Sequence, residues 1–416
     1  MSKLKKVIAS ILPGIFLIGY NVGTGSVTSM SKAGANFGLD LLWTVLVSCL
    51  ATYYLIILFS RYTMVTGETT IQGIKKHIHP ALAITLIVAL SIIIVSALMG
   101  LLGIMADVMH EWSESMFSNG ISSLVWAIII GALIYVLIWI GNYKLFEKLL
   151  AILVAIMGLA FVATMFINFP SITDLAKGFV PKLPEVAAGS DNSPLIIIAG
   201  MVGTTVSVFA FIIRSQIVQD TGWKMSDNKI QKRDAFVSAS LMFIISAAVL
   251  ITAASTLHVQ GISLNNVAEM IPLMEPIAGK GALAVFVIGI LAAGLSSHLP
   301  NTLVIPWLIM DYQEIKRSTK TKMSRFIIFL LTISSILGIA FGFKPVFILM
   351  LSQASIAIVL PITIGSIFYL TCKKTLMGIH VNKVLDVIIL SIILVFTLYV
   401  SSLGIKGLIT DLSSLI

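Results

Sequence analysis

Eleven apolar runs divide this sequence, at approximately 9–37, 41–63, 82–106, 122–142, 146–168, 194–219, 234–257, 280–310, 325–343, 346–371 and 384–404. Each is near the roughly 20 residues needed to cross the hydrocarbon of a bilayer, and no other feature restricts the fold as strongly. Hydrophobic residues make up 58% of the 416 positions and charged residues only 11%. A soluble domain of that size could not cover so much apolar surface. The expected class is therefore an all-α polytopic membrane protein with the lipid bilayer as its first partner. Lys3, Lys5 and Lys6 precede the first run, but no small-residue cleavage site follows, so that run is expected to be retained.

The basic residues test the count. With the N-terminus in the cytoplasm, most of the 27 Lys and Arg fall in inner segments. Lys32, Lys177, Lys182, Lys280, Lys344 and Lys406 fall outside, and Arg214 alone lies within a run. One span more or fewer would invert the later loops and destroy this asymmetry. The expectation is eleven spans, N-terminus in and C-terminus out, in the plasma membrane of a bacterium (the inner membrane). The net charge of +9 is thereby a topology signal, with no nucleic-acid partner. Cys49 and Cys372 offer neither a disulfide framework nor metal-ligand spacing.

Two runs are interrupted. Gly23-Thr24-Gly25-Ser26 breaks the stretch from Leu12 to Gly38, and Gly203-Thr204-Thr205 breaks the sixth run. Unwound backbone at membrane depth is tolerated only where protein buries it or a cavity receives it. Paired breaks in corresponding runs point to an inverted repeat with its binding site at the breaks. The halves are about 9–168 and 194–371, with an extra span at about 384–404, in a single domain covering 1–416. The alternative is that these glycines only let helices pack closely.

These residues, with Pro13-Gly14, Ala33-Gly34-Ala35-Asn36-Phe37-Gly38, Gly203 to Gln219, Ala292 to Ser297 and Leu351-Ser352-Gln353, resemble the Nramp transporters. The resemblance implies a LeuT-type 5+5 fold and, for the family, proton-coupled import of manganese and ferrous iron. The family's ligands are absent, however. Its Asp-Pro-Gly-Asn aligns with Gly23 to Ser26, and its Met-Pro-His with Ser207-Val208-Phe209. Thr204 stands where the family uses a carbonyl, and Gln353 matches a position that can face the ion. Transition metals favour imidazole, thioether or carboxylate, none of which is offered. Ala97 and Gly100 replace acidic residues of the third span, so proton coupling by the family's route is not expected.

The stretch Gly19 to Ser26 and the sequence Ala293-Gly294-Leu295-Ser296-Ser297 are also similar to sodium-coupled transporters of the LeuT type. That resemblance implies a sodium site from the carbonyls of Gly19, Val22 and Ala293 with the hydroxyls of Ser296 and Ser297. The other reading of these serines is helix packing. Helix N-termini starting near Gly25 and around Thr205 to Ser207 would favour an anionic group. The expected substrate contacts are Gly23, Thr24, Gly25, Ser26, Thr204, Thr205, Ser207, Phe209 and Gln353. Arg214 is expected either to draw an anion along the pathway or to pair with Asp220 or Asp234. His298 either lines the same pathway or packs between helices.

No phosphate-binding loop, nucleophile elbow or His/Glu metal motif is present, so the chain is not expected to be an enzyme. No resident cofactor is expected beyond sodium as coupling ion. The first functional expectation is a sodium-coupled carrier of a small anion or carboxylate-bearing solute such as bicarbonate, an organic acid or an amino acid. The alternative is divalent cation transport by neutral oxygens and a hydrated ion, as in the wider Nramp family. The third is a non-transporting membrane receptor.

Overall fold

The computed structural model describes residues 23–117, 119–141, 144–184 and 194–414, and these are all helical apart from their connections. Nine helices among the described residues are long and apolar enough to cross a membrane, with a shorter apolar helix at Ile152–Ile167. The first predicted run, 9–37, lies outside the described residues up to position 22. The helices that carry the argument are α1 (Thr24–Phe37), α2 (Leu42–Thr66), α3 (Thr70–His77), α4 (Pro80–Glu114), α5 (Ser123–Ile140), α6 (Lys144–Ile167), α7 (Ile172–Gly178), α8 (Pro194–Thr205), α9 (Val208–Thr221), α10 (Asn228–Ala253), α11 (Ala282–Tyr312), α12 (Lys322–Ala340), α13 (Pro345–Cys372) and α14 (Val384–Ser414).

Burial orders them. The apolar window of Pro194–Thr221 is wholly enclosed by protein, whereas α5 and α14 bury only 28% of theirs. An apolar helix buried all round sits inside a bundle, and one left exposed can face only lipid. Around the enclosed segment, α1 packs on α8 and α10, α9 on α2, and α8 on α13 and α14. The 35-residue α4 packs against α11, α12 and α13 and backs the assembly.

The central segment is two helices because α8 stops at Thr205 and α9 begins at Val208, with Ser207 extended between them (φ −81°, ψ 119°). Thr205 donates its hydroxyl to the Met201 carbonyl at 2.8 Å, and its own carbonyl accepts from Thr52 Oγ1 of α2 at 2.9 Å. A carbonyl freed at such depth must be satisfied within the protein. Thr52 does this. Gly203 meanwhile admits α13: a Cβ there would lie 1.9 Å from the Gln353 carbonyl oxygen.

Arg214 on α9 is completely buried, and three groups hold it. Its Nη1 donates to Asp234 Oδ2 of α10 at 2.5 Å, its Nε to Ser60 Oγ at 2.9 Å, and the guanidinium lies 5.2 Å from the Trp223 ring centre. Of the two readings of Arg214, pairing with Asp234 is the one realised. Removing one member of a buried pair strands the other charge, which costs about 3–5 kcal/mol. Asp234→Asn should accordingly lose its monodisperse chromatographic peak at a clearly lower temperature than the parent in detergent. Arg214→Met with Asp234→Leu should recover most of the difference; equal melting of Asp234→Asn and parent would show the pair to be dispensable.

Candidate substrate site

The start of α1 and the junction of α8 with α9 meet at a small cavity of about 40 Å³. Gly23, Gly25, Ser26, Thr204, Ser207, Phe209, Ser297, Asn301 and Gln353 line it, with Ala97, Leu101 and Ile356 completing the wall. By the roughly 10–15 Å³ that one water requires, it holds about three.

Local chain geometry explains how six helices converge on so little space. Gly23 caps α1 in an extended conformation without a side-chain cap, leaving the first N–H groups of the helix unclaimed by its own residues. A Cβ on Gly23 would lie 1.6 Å from Ser297 Oγ, and one on Gly25 2.6 Å from Gln353 Nε2. The two glycines therefore let α11 and α13 bring a hydroxyl and an amide against the backbone of α1. Thr24 Oγ1 and Ser297 Oγ are buried without a hydrogen-bond partner among the described residues. Buried hydroxyls are normally satisfied, and Ser297, which lines the cavity, is positioned for water or a solute. Ser26 Oγ approaches Ser246 Oγ of α10 at 3.4 Å.

The expected site residues separate into groups. Gly23, Gly25, Ser26, Thr204, Ser207, Phe209 and Gln353 come together as cavity lining, and buried Thr24 adjoins them. Thr205 does not: its hydroxyl is bonded back to Met201 in its own helix, a correction to its expected contact role. The two serines expected at the sodium site face different ways. Ser296 Oγ donates to the Ala293 carbonyl at 2.9 Å within α11, whereas Ser297 faces Gly23. Consecutive helix residues point about 100° apart, and here only the second reaches the break. Gly19 and Val22 lie outside the described residues. Arg214 and His298 are not among the lining; His298 is buried, with its Nδ1 3.2 Å from Thr302 Oγ1.

The lining includes positions that were not expected. Ala97 and Leu101 bring α4 to the cavity, and Ser246, outside the lining, reaches Ser26 from behind; Asn301, a weaker candidate in the sequence because single polar residues often only join helices, lies one turn beyond Ser297 in the lining. Asn301 carried a local signal, because Pro300 beside it removes the N–H that would bond the Ser296 carbonyl. Ser246 carried none, being one hydroxyl in an apolar helix. Among the described residues no group of three or more His, Cys, Asp or Glu could hold a metal ion.

Close packing at Gly23 is open to a double-mutant test. Gly23→Ala should cost on the order of 1–3 kcal/mol of stability by overpacking. Adding Ser297→Gly, which removes both clashing atoms, should restore part of that loss. Thermal melts of the two singles and the double read the coupling, and strict additivity would contradict the contact.

The chain matches the family described as "Natural resistance-associated macrophage protein-like" over residues 14–406. A divalent metal cation transporter from a Nostoc species is 28% identical over 399 residues, covering 91% of this chain and 86% of that protein. A protein of the same description from Erwinia tasmaniensis is 25% identical, covering 89% and 87%. Among solved structures, a manganese transporter of Eremococcus coleocola superposes with a TM-score of 0.72 at 16% identity, covering 99% of this chain and 95% of that one. A nucleobase-cation-symport-1 family transporter superposes at 0.57 with 14% identity, covering 97% and 90%. The fold is thus related to the LeuT-type transporters. These relatives overturn the expectation of a sodium-coupled carrier of an anion or carboxylate, because they are described as divalent metal cation transporters. The anion expectation rests on helix N-termini, the lack of a carboxylate and the resemblance to sodium-coupled LeuT-type transporters, but backbone that presents N–H groups at a helix end also presents carbonyls. The chain is a multi-pass membrane protein of the natural resistance-associated macrophage protein-like family, whose members are secondary transporters and not enzymes.

Proposed function

We propose that this chain transports a hard divalent cation, magnesium before manganese, which crosses the α1 and α8–α9 junction with part of its water shell in place. The observation that carries this reading is the chemistry of the lining: Ser26, Thr204, Ser207, Ser297, Asn301 and Gln353 offer hydroxyls and amides, and none offers a carboxylate, imidazole or thioether. A bare transition metal has nothing soft to bind there. Magnesium gives up its water reluctantly and usually keeps several molecules when bound. Neutral oxygens suit such an ion, since they accept hydrogen bonds from its polarised waters. The descriptions of the relatives support the class of cargo.

Six waters at about 10–15 Å³ each exceed the cavity of about 40 Å³, so loading requires the helices around Gly23 and Ser207 to part. In this reading the protein is a single unit of eleven spans in a bacterial inner membrane. Its two inverted halves run about 9–168 and 194–371, with 384–404 added, amino terminus inside and carboxyl terminus outside. The crowding of Lys and Arg at one end supports that orientation. Gly23, Thr24, Gly25, Ser26, Thr204, Ser207 and Gln353 are the residues assigned to the hydrated ion.

Purified protein in liposomes loaded with a magnesium indicator tests this. Magnesium uptake above that of empty liposomes is expected, with manganese competing only weakly. Gln353→Leu and Ser297→Ala should each raise KM about five- to tenfold, the equivalent of about one net hydrogen bond of 1–1.4 kcal/mol. Absence of flux for magnesium, manganese and calcium in a protein that remains monodisperse would refute the assignment.

A further inference from the structure

The basic end of the bundle holds a tie that the site does not explain. After α11 the chain reverses at Glu314, the one non-glycine residue with positive φ (59°) among the described residues. The turn is closed by Ile315 N–H to the Met310 carbonyl at 3.0 Å and Glu314 N–H to the Asp311 carbonyl at 3.1 Å. Glycine normally fills such a position, because a side chain there is strained. Here the side chain is engaged instead. Lys75 and Lys76 of α3 donate to its carboxylate at 3.1 and 2.8 Å. Lys76 first, then Lys75, holds the Glu314 carboxyl below its ordinary range.

The same turn carries Arg317 back under the bundle. Its Nη2 donates to Asp220 Oδ1 at 2.6 Å and to the Gln216 carbonyl at 3.2 Å on α9, and its Nη1 to Asp311 Oδ1 at 3.3 Å. Asp311 is fully buried and also accepts from Thr69 at 2.8 Å, Gln72 at 2.9 Å and Gln216 at 3.1 Å. Both α9 and α11 leave the cavity, at Ser207 and Asn301, and meet again at Gln216 and Asp311. Nine or ten helical residues separate these pairs, about 14–15 Å at 1.5 Å per residue. Over that length the helices make little close backbone contact, and side chains join them.

We infer that the left-handed turn at Glu314 and the guanidinium of Arg317 form a latch, fastening α3 and α9 to the end of α11 and shutting the path from the cavity to the basic end. The latch rests on the transport reading for its purpose, but its test does not need the cargo. A bundle that admits an ion from one side and releases it on the other must open and close its two ends separately. Buried apolar side chains such as Ile71, Ile74, Ile213 and Leu308 pack these helices together, and beyond them the end is tied by hydrogen bonds and ion pairs, which exchange readily for water. The strained turn lowers the stability of the latched state and favours release.

Thiol accessibility reads the latch directly. In a Cys372→Ser background, where the remaining Cys49 is buried, Asn301→Cys places a reporter in the cavity. A membrane-impermeant maleimide is applied to each face of sealed vesicles in turn. Arg317→Gln should raise labelling from the basic face about tenfold, as losing charge-assisted bonds implies, and Arg317→Lys should raise it less. A second reporter, Asn36→Cys at the opposite end of α1, should label at the parent rate. Unchanged labelling of Asn301→Cys, or an equal rise at both reporters, would overturn the latch. If Arg317→Gln does not fold, Glu314→Gln decides: a rise at Asn301→Cys alone supports the latch, and the parent rate refutes it. Liposomes that carry no magnesium while this labelling response persists would refute the cargo and keep the latch.

Discussion

A backbone carbonyl released from a helix inside a bilayer has no water to turn to, and the arrangement of this protein depends on where that carbonyl goes. The α8–α9 junction exists because Thr52 on α2 donates to the Thr205 carbonyl, while Thr205 itself folds back on Met201. With that carbonyl satisfied, Ser207 can be extended and α9 can begin afresh, opening a gap facing the glycine-bounded start of α1. The neighbours then close on the gap. Gly203 admits α13, and Gly23 admits Ser297 from α11. The cavity is thus a consequence of backbone accounting and of missing Cβ atoms.

The chemistry of the cavity follows from the same source. Small residues at the breaks leave little room for the long side chains that hold bare metals, so the walls present hydroxyls, amides and main-chain groups. Charges are placed elsewhere and are paired there. Arg214 is neutralised by Asp234, and Asp311 by four donors including Arg317, both remote from the cavity along their helices. In the proposed reading, a site of neutral oxygens with its paired charges held away from it discriminates by hydration and size more than by ligand softness. This is why a chain of this family can lack the family's ligands and still be read as handling a divalent ion.

Several elements were legible in the sequence. The apolar runs gave the helical membrane fold, residues from the clusters at 23–26 and 203–205 line the cavity, and the resemblance to Nramp proteins matches the family shown by comparison. What failed was direction. Ser296 and Ser297 read alike in sequence, yet one bonds within its own helix and the other faces Gly23. Thr204 and Thr205 divide in the same way, one lining the cavity and one bonding back to Met201. Adjacent residues on a helix point about 100° apart, and no composition or motif records which of them meets the break. The anion reading failed for a related reason: N–H groups and carbonyls are present at every break, and sequence does not weigh one against the other.

The sequence by itself determined that the chain enters a membrane as helices, that glycines and hydroxyls cluster at 23–26 and 203–205 within two of its runs, and that no soft or charged side chain stands in either cluster. These are properties of residue type and order, set by the cost of placing polar groups in hydrocarbon. Tertiary structure alone decided that Ala97, Ser246, Asn301 and Gln353 converge on Gly23 and Gly25 from four other helices. It alone turned Arg317 back beneath α9 through the left-handed Glu314. Those contacts join residues far apart in the chain, and their existence depends on how whole helices pack.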